Sequence, residues 1–298
     1  MNNLIHYTNC PVCNSTDIKN IFRVKDYTVS GELFQIAECD ACSLRFTQDV
    51  PGEAFIAPYY KSEDYISHTN TAKGFINRLY HSVRRKTLKK KRKLVQRATK
   101  LETGDVLDVG SGIGSFVNEM KEHGWLVTGL EPDSDARKIA KETYKLDLAD
   151  IKQLYQLEAN SFDAITLWHV LEHVHELQAC ITQLKNLLKE KGKIFIAVPN
   201  YTATDAKMYK EYWAAYDVPR HLYHFSPRSM QVLMEKHGMT ITKYQPMWYD
   251  SFYISMLSSK YKNSKTNLVA AFWNGLRSNI TAMSNSKKCS SVIYIISK

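Results

Sequence analysis

No apolar run in the 298 residues approaches the roughly 18 needed to span a bilayer; the longest, Leu268–Trp273 and Val292–Ile296, are far shorter. No transmembrane helix is expected. The opening Met1-Asn2-Asn3-Leu4-Ile5-His6 lacks the basic region and apolar stretch of a secretory signal, which predicts a cytoplasmic chain. Acidic residues are missing from Tyr65 to Leu101, where twelve Lys or Arg occur, densest in Arg84-Arg85-Lys86 and Lys89-Lys90-Lys91-Arg92-Lys93. Setting those twelve aside takes the net charge from +10 to −2, so the excess is local. Such a segment raises nucleic acid, an anionic membrane or a phosphorylated substrate as partners. Internal repeats are also absent. What is present, 44% hydrophobic and 23% charged residues, suffices for a buried core and excludes disorder across the whole chain.

The cysteines number six, and four fall into two pairs, Cys10-Pro11-Val12-Cys13 and Cys39-Asp40-Ala41-Cys42, twenty-five residues apart. Four thiolates in two tight knuckles match the closed tetrahedral geometry of structural zinc, whereas a catalytic zinc keeps one position open. Disulfides suit a chain without an export signal poorly. Between the pairs, alternating stretches at Ile18–Val24 and Leu33–Ala37 predict a small β ribbon. A connector with Pro51-Gly52, Pro58, Tyr59, Tyr60 and Tyr65 follows, and the zinc module is expected to place those tyrosines over the substrate. From Phe75 the apolar spacing is helical, so the basic residues decorate one or two helices. This gives three segments: residues 1–50 as a zinc ribbon, 51–103 as connector and basic helical segment, and 104–298 as the main domain.

From Asp105 strands and helices alternate, the signature of a parallel sheet with crossover helices. Strands are expected at Asp105–Val109, Leu126–Leu130, Leu146–Leu148, Ala164–Trp168 and Lys193–Val198. Helices fill Ser115–His123, Ser134–Tyr144 and His175–Leu188, the last stopped by Lys191-Gly192. A helix from Ser226-Pro227 to His237, a strand at Met239–Tyr244, helical structure over Phe252–Ala282 and a final strand at Ser291–Ile296 complete the pattern.

Chemistry enters at Asp108-Val109-Gly110-Ser111-Gly112-Ile113-Gly114, which follows an apolar strand and opens a helix. Glycines there let the backbone turn tightly and approach a ligand closely. A dinucleotide fingerprint needs glycine at 115, which is Ser115, and this weakens a nicotinamide-cofactor reading. Glu131 ends the next strand nineteen residues after Gly112, where a carboxylate can accept hydrogen bonds from both ribose hydroxyls of an adenosine.

Here the chain resembles the class I S-adenosylmethionine-dependent methyltransferases, from roughly Asp105 to the C-terminus. Asp108 to Gly114 matches the family's first motif, Glu131 its ribose acid, and Ser161-Phe162-Asp163-Ala164-Ile165-Thr166-Leu167-Trp168-His169-Val170-Leu171-Glu172-His173 its fourth-strand motif. The resemblance implies a doubly wound α/β, mostly parallel seven-stranded sheet of Rossmann-like type, with Ser291–Ile296 as its antiparallel strand. It implies S-adenosylmethionine as cofactor, Gly110 and Gly112 along its methionine part, Glu131 on the ribose and Asp150-Ile151 near the adenine. Asp108, Ser111, Gly114, Pro132, Trp168 and His169 complete the expected cofactor shell.

His169-Val170-Leu171-Glu172-His173 also fits the inverted zinc-peptidase pattern, but that chemistry needs both histidines on one helix, and His169 ends a strand. Ligands in open parallel sheets bind beyond the carboxyl ends of strands where strand order reverses, so His169 and His173 are expected near the cofactor. A second cluster, Trp213 to Phe225, holds Arg220, His221 and His224 and follows the fifth strand, where loops carry substrate contacts. His224 is the expected general base, with Arg220 and His221 orienting the acceptor; His169 and His173 are the other candidates. The reaction expected is methyl transfer to an oxygen or carbon of a small molecule. The rivals are an RNA methyltransferase that holds its substrate with the ribbon and basic helix, and a cofactor-binding protein without catalysis. Oligomeric state is left open.

Overall fold

A computed structural model describes residues 4–61, 75–263 and 267–298; Tyr65 lies outside them. The chain opens with β1 (Leu4–Ile5), β2 (Ile18–Lys25), β3 (Leu33–Cys39), β4 (Arg45–Thr47) and β5 (Val50–Pro51). The basic helix α1 (Phe75–Thr99) leads to β6 (Asp105–Val109), α2 (Ser115–Lys121), β7 (Leu126–Leu130), α3 (Ser134–Tyr144), β8 (Phe162–Trp168), α4 (Leu177–Leu187) and β9 (Leu188–Pro199). Then come α5 (Thr204–Tyr209), β10 (Tyr223–His224), α6 (Pro227–Lys236), β11 (Thr240–Pro246), α7 (Asp250–Asn263), α8 (Leu268–Ser284) and β12 (Ser291–Ser297). The chain folds into two compact units. One takes in Met1–His68, Leu171–Gln178 and Ala197–Tyr294; the other takes in Thr69–Val170, Ala179–Ile196 and Ile295–Lys298.

The largest sheet has the order β11-β12-β9-β8-β6-β7. β6 lies parallel to both β7 and β8, with Asp108 opposite Gly129 on one side and Thr166 on the other. Strand order therefore reverses around β6, and the carboxyl ends of β6 and β8 form the edge where such sheets bind ligands. The doubly wound, mostly parallel α/β class is as expected, but the sheet holds six strands. Leu146–Leu148 forms no strand: Leu146 is drawn into a cluster with Val117 and Ala140, with Leu148 packed against it. Asp150 then caps a 3-10 turn at once, its carboxylate accepting the Lys152 N–H at 3.0 Å. The stretch has room for one parallel bridge, Leu130 to Ala149. A second difference is that β9 begins at Leu188, so Gly192 sits inside a strand instead of stopping a helix. Lys189 anchors this extended start through Asp105 at 2.7 Å and Asp163 at 2.8 Å.

In the other unit, β2 and β3 form the expected antiparallel ribbon, broken by a register shift between Asn20 and Phe22. β4 extends it, and β10 adds a fourth strand from far along the chain, with Tyr223 opposite Phe46 and His224 opposite Arg45. Trp213, Tyr216 and Tyr201 pack with Phe34 and Ile36 in one buried cluster, so the aromatics of the 213–225 segment complete the core under the ribbon.

Candidate functional site

The glycine loop leaves β6 through Gly110 (φ 71), Gly112 (φ 53) and Gly114 (φ 76), backbone conformations that side chains with a Cβ rarely adopt. A Cβ on Gly110 would lie 2.5 Å from Val170 Cγ2; one on Gly112 would meet no protein atom within 4 Å. The first glycine therefore answers to packing, while the second leaves its face of the loop open to a ligand. Gly110 and Ser111 donate their N–H groups to the Leu130 carbonyl at 2.8 and 2.9 Å, which ties the loop to the end of β7. Ser111 Oγ donates back to the Asp108 carbonyl at 2.8 Å.

Glu131 is 8% exposed, and its two carboxylate oxygens are held separately. Gly112 N–H donates to Oε2 at 2.7 Å and Asp133 N–H to Oε1 at 3.0 Å. Burial raises the pKa of this carboxyl, and the two N–H groups pull it back. Each oxygen keeps a lone pair, so the group can accept two further donors from one ligand. Asp150 lies beside it, because Glu131 N–H donates to the Ala149 carbonyl at 2.9 Å. Asp150 also pairs with Arg137 at 3.3 Å, and Arg137 donates to the Pro132 carbonyl at 2.8 Å; Ile151 begins the turn that Asp150 caps. Asp108 is buried, and its carboxylate accepts the Thr166 hydroxyl at 2.6 Å. Burial pushes its pKa up.

Trp168 closes β8 with its ring edge-on to Phe116 at 5.3 Å, and its indole Nε1 is buried with no hydrogen-bond partner among the described residues. His169 follows at φ 59, a left-handed backbone that few residues other than glycine adopt but that histidine tolerates better than most.

Sequence reasoning missed the inward role of the basic helix. Lys91 Nζ stands 4.2 Å from the Trp168 ring centroid, Arg92 pairs with Glu119 at 2.8 Å, and Arg84 donates to Ser115 Oγ. The signal was there: Arg84, Leu88, Lys91 and Val95 recur at helical spacing on one face.

In the other unit, Glu172, His173 and His221 gather one ligand atom each within 4.8 Å of one another. Glu172 and His173 sit in the 3-10 turn Leu171–His173, and no α-helix carries His169 together with His173, which removes the peptidase geometry. His173 Nδ1 lies 3.0 Å from the Arg220 carbonyl and 3.1 Å from Tyr60 Oη. His221 Nδ1 lies 2.9 Å from the Ala215 carbonyl. A carbonyl can only accept, so both rings carry their proton on Nδ1 and present Nε2 as the basic nitrogen. The rings meet edge to face with centroids 4.6 Å apart. Burial, and the neighbouring His221, lower the His173 pKa to about 4, so it is neutral near pH 7.

His224 and Arg220 stand differently. His224 is buried; its Nε2 lies 3.1 Å from Thr47 Oγ1, its ring packs against Tyr216, and burial holds its pKa well below the ordinary value. Arg220 is 1% exposed and bridges Asp217 at 2.7 Å and Asp26 at 3.0 Å, while donating to the Tyr59 carbonyl at 2.8 Å. Those donors are engaged within the protein, which gives Arg220 an organising duty for the loop and the connector.

Cys10, Cys13, Cys39 and Cys42 bring their sulfurs within 4.8 Å of one another, with Cys10–Cys42 and Cys13–Cys39 at 3.5 Å. A tetrahedral zinc with Zn–S near 2.3 Å needs sulfurs about 3.8 Å apart, so the residues fit the ion. The two knuckles have the same construction: Asn14 N–H returns to the Cys10 carbonyl and Ser43 N–H to the Cys39 carbonyl, with Asn14 at φ 64 and Ser43 at φ 58. Gln178 Nε2 donates to the Pro11 carbonyl at 2.6 Å, and Tyr201 Oη to the Ser43 carbonyl at 2.7 Å, so later segments grip both knuckles.

Comparison with known proteins bears on the family. Residues 80–244, just over half the chain, match the family described as "Methyltransferase domain". A ubiquinone biosynthesis O-methyltransferase from Glaesserella parasuis serovar 5 is 36% identical over 109 residues, covering 33% of this chain and 46% of that protein. The mitochondrial ubiquinone biosynthesis O-methyltransferase of Rattus norvegicus is 26% identical over 164 residues, covering 49% and 47%. The chain thus spans about half the length of the curated relatives it matches. A crystal structure of a SAM-dependent methyltransferase from Archaeoglobus fulgidus shares 19% identity at a TM-score of 0.47, covering 71% of this chain and 94% of that one. The chain belongs to the class I S-adenosylmethionine-dependent methyltransferases.

Proposed function

We propose that the protein transfers a methyl group from S-adenosylmethionine to a hydroxyl oxygen of a small organic acceptor. The observation that carries the cofactor half is the Glu131 carboxylate, fixed by the Gly112 and Asp133 N–H groups at the end of β7 with one lone pair free on each oxygen. Vicinal ribose hydroxyls are the donor pair that such a group accepts. Gly112 leaves the open face for the methionine part, Asp150 and Ile151 flank the adenine end, and the Trp168 indole offers a buried donor. Bound there, the cofactor supplies an electrophilic methyl on a sulfonium.

The acceptor half rests on the paired imidazoles of His173 and His221, whose Nδ1 atoms face the Arg220 and Ala215 carbonyls. A hydroxyl must lose its proton as its oxygen is methylated, and His221 Nε2 is the base we propose, with His173 Nε2 as its neighbour and Glu172 steadying the charge that forms. His224, expected from sequence to be the base, has its Nε2 against Thr47 and its protonation opposed by burial, so it supports the loop instead. The likeness to ubiquinone biosynthesis O-methyltransferases supports an oxygen acceptor on a small molecule. RNA is less well supported, because Arg84, Lys91 and Arg92 turn inward and leave fewer cations for phosphates. We also propose that the four cysteines hold one structural zinc. The test is methyl transfer from labelled cofactor to a panel of phenols and catechols: His221→Ala is expected to lower kcat at least tenfold, the low end for a general base, with cofactor affinity retained. Full turnover in that variant defeats the base assignment, and labelling of RNA in preference to every small hydroxyl defeats the acceptor class.

A further inference from the structure

The last two helices invert the usual arrangement of a surface helix. α8 turns its small residues inward, burying Ala271, Gly275, Ser278 and Ala282, and α7, which packs against it, buries Ser251, Ser255, Ser258 and Ser259. The approach is close: a Cβ on Gly275 would lie 2.9 Å from Phe252 Cδ1 and 3.1 Å from the Ser251 carbonyl oxygen. Polar bonds secure the inner face, with Ser278 Oγ donating to Asp205 at 2.6 Å and Asn274 Nδ2 to Tyr209 Oη at 2.9 Å. The outer face carries the large apolar side chains. Leu268 (65% exposed), Val269 (69%), Phe272 (53%), Trp273 (57%), Ile280 (56%) and Met283 (77%) all face out. An amphipathic helix of a water-soluble protein directs such residues to the core. Small residues between helices and bulky ones outside is instead the packing used where the surroundings are apolar.

Charge identifies the surroundings. After Asp250 the chain contains no Asp or Glu and seven Lys or Arg. Among the described residues Lys260, Lys262, Arg277, Lys287 and Lys288 are exposed on or beside this helix pair. A second copy of the chain would set that positive field against itself, and like-charge juxtaposition opposes association. A bilayer with anionic headgroups matches both features, since it takes up bulky apolar side chains at its boundary and attracts the cations around them. Aromatic residues favour that boundary, and Phe252, Phe272 and Trp273 form a contiguous aromatic ledge, with ring centroids 5.5 and 6.1 Å apart. No described helix is long and apolar enough to cross a membrane, so the mode is one of lying on the surface.

We propose that the outer face of α8 is a peripheral docking surface for anionic phospholipid membranes. The experiment is co-sedimentation of the full chain, loaded with S-adenosylhomocysteine, with vesicles of phosphatidylcholine alone and of phosphatidylcholine with phosphatidylglycerol. Binding is expected on the anionic vesicles, falling as salt rises, and little on the neutral ones. Replacing Phe272 and Trp273 together by serine should abolish it, while Lys287→Gln and Lys288→Gln should each lower the partition about fivefold. Both positions are exposed, and unchanged S-adenosylhomocysteine affinity confirms that the variants fold. Three results overturn the proposal: no binding to the anionic vesicles, equal binding to both kinds, or a wild-type dimer in sedimentation velocity that the Phe272→Ser, Trp273→Ser variant converts to monomer.

Discussion

Glu131→Gln separates two duties of one side chain. The carboxylate accepts the Gly112 N–H on one oxygen at 2.7 Å and the Asp133 N–H on the other at 3.0 Å. An amide has one acceptor oxygen, so whichever way it turns, its NH₂ meets a backbone N–H and one donor is left unpaired. That unpaired group should destabilise the protein by about 1–3 kcal/mol with or without ligand, because the clash exists in both states. It therefore cancels from the binding equilibrium. What binding loses is one of two charge-assisted bonds to the ribose hydroxyls, about 1.5–3 kcal/mol, or roughly 10- to 150-fold in Kd. Titration calorimetry with S-adenosylhomocysteine measures the second quantity, and denaturant unfolding of the unliganded protein the first. A variant that loses stability while binding the ligand within twofold of wild type would show that Glu131 shapes the loop and does not touch the ribose. Unchanged values for both would falsify the geometry itself.

Three further outcomes are expected. Stability should fall as pH drops from about 6.5 to about 4: the folded pKa of His173 is depressed to about 4, so the unfolded chain binds the extra proton in that window, and up to about 3 kcal/mol is lost; an unfolding free energy flat over this range in denaturant titrations refutes the buried neutral imidazole. Arg220→Met should destabilise by about 3–5 kcal/mol at pH 7, because it strands the Asp26 and Asp217 carboxylates. The two carboxyls now sit below their ordinary range, Asp26 at about 2, so the stability that Arg220 confers is present above about pH 4 and lost toward pH 2; the variant should instead gain stability on mild acidification, and a parallel pH profile for the two proteins counts against the network. Strong chelation should release one zinc per chain and abolish methyl transfer while S-adenosylhomocysteine binding persists; retained turnover in metal-free protein by mass spectrometry refutes a role for the ion in holding the histidine cluster.

The elements that position the glycine loop were legible because each is set locally. Asp105–Val109, Leu126–Leu130 and Ser134–Tyr144 fall where apolar runs, glycine turns and the Asp133 cap put them. The place of Glu131 just after β7 was legible for the same reason: strand, turn, helix, strand and acid follow one another in sequence. What could not be read depends on partners far along the chain. Arg220 pairs with Asp26, 194 residues away, and no pattern around Arg220 distinguishes an internal ion pair from a substrate contact. His224 looked like a base because histidines on loops after parallel strands often are; its pairing through β10 with β4 arises only in three dimensions. The Leu146–Leu148 strand failed because β propensity is satisfied equally by a leucine packed under Gly114 and Gly129. The outward face of α8 was hidden because helical periodicity reports which residues share a face, not which way the face points.

The cysteine knuckles and the histidines belong to one piece of structure, which changes what a structural zinc can do here. β4 follows Cys42 by two residues and pairs with β10, so the strand that the second knuckle launches is the one against which His224 lies. Thr47, on that strand, donates its hydroxyl to the His221 carbonyl at 2.7 Å. Ser43 Oγ and Ser226 Oγ are 2.7 Å apart, tying the knuckle itself to the cap of α6. Upstream, Asp26 in the ribbon turn is the far anchor of Arg220, whose carbonyl orients His173. Displacing either knuckle therefore pulls on the backbone that sets both imidazole tautomers, and a histidine whose Nδ1–H loses its carbonyl no longer has a defined basic nitrogen. On this reasoning an ion held by the four cysteines, without touching substrate, would govern the proton transfer proposed for the histidines, through the carbonyls of Arg220 and Ala215.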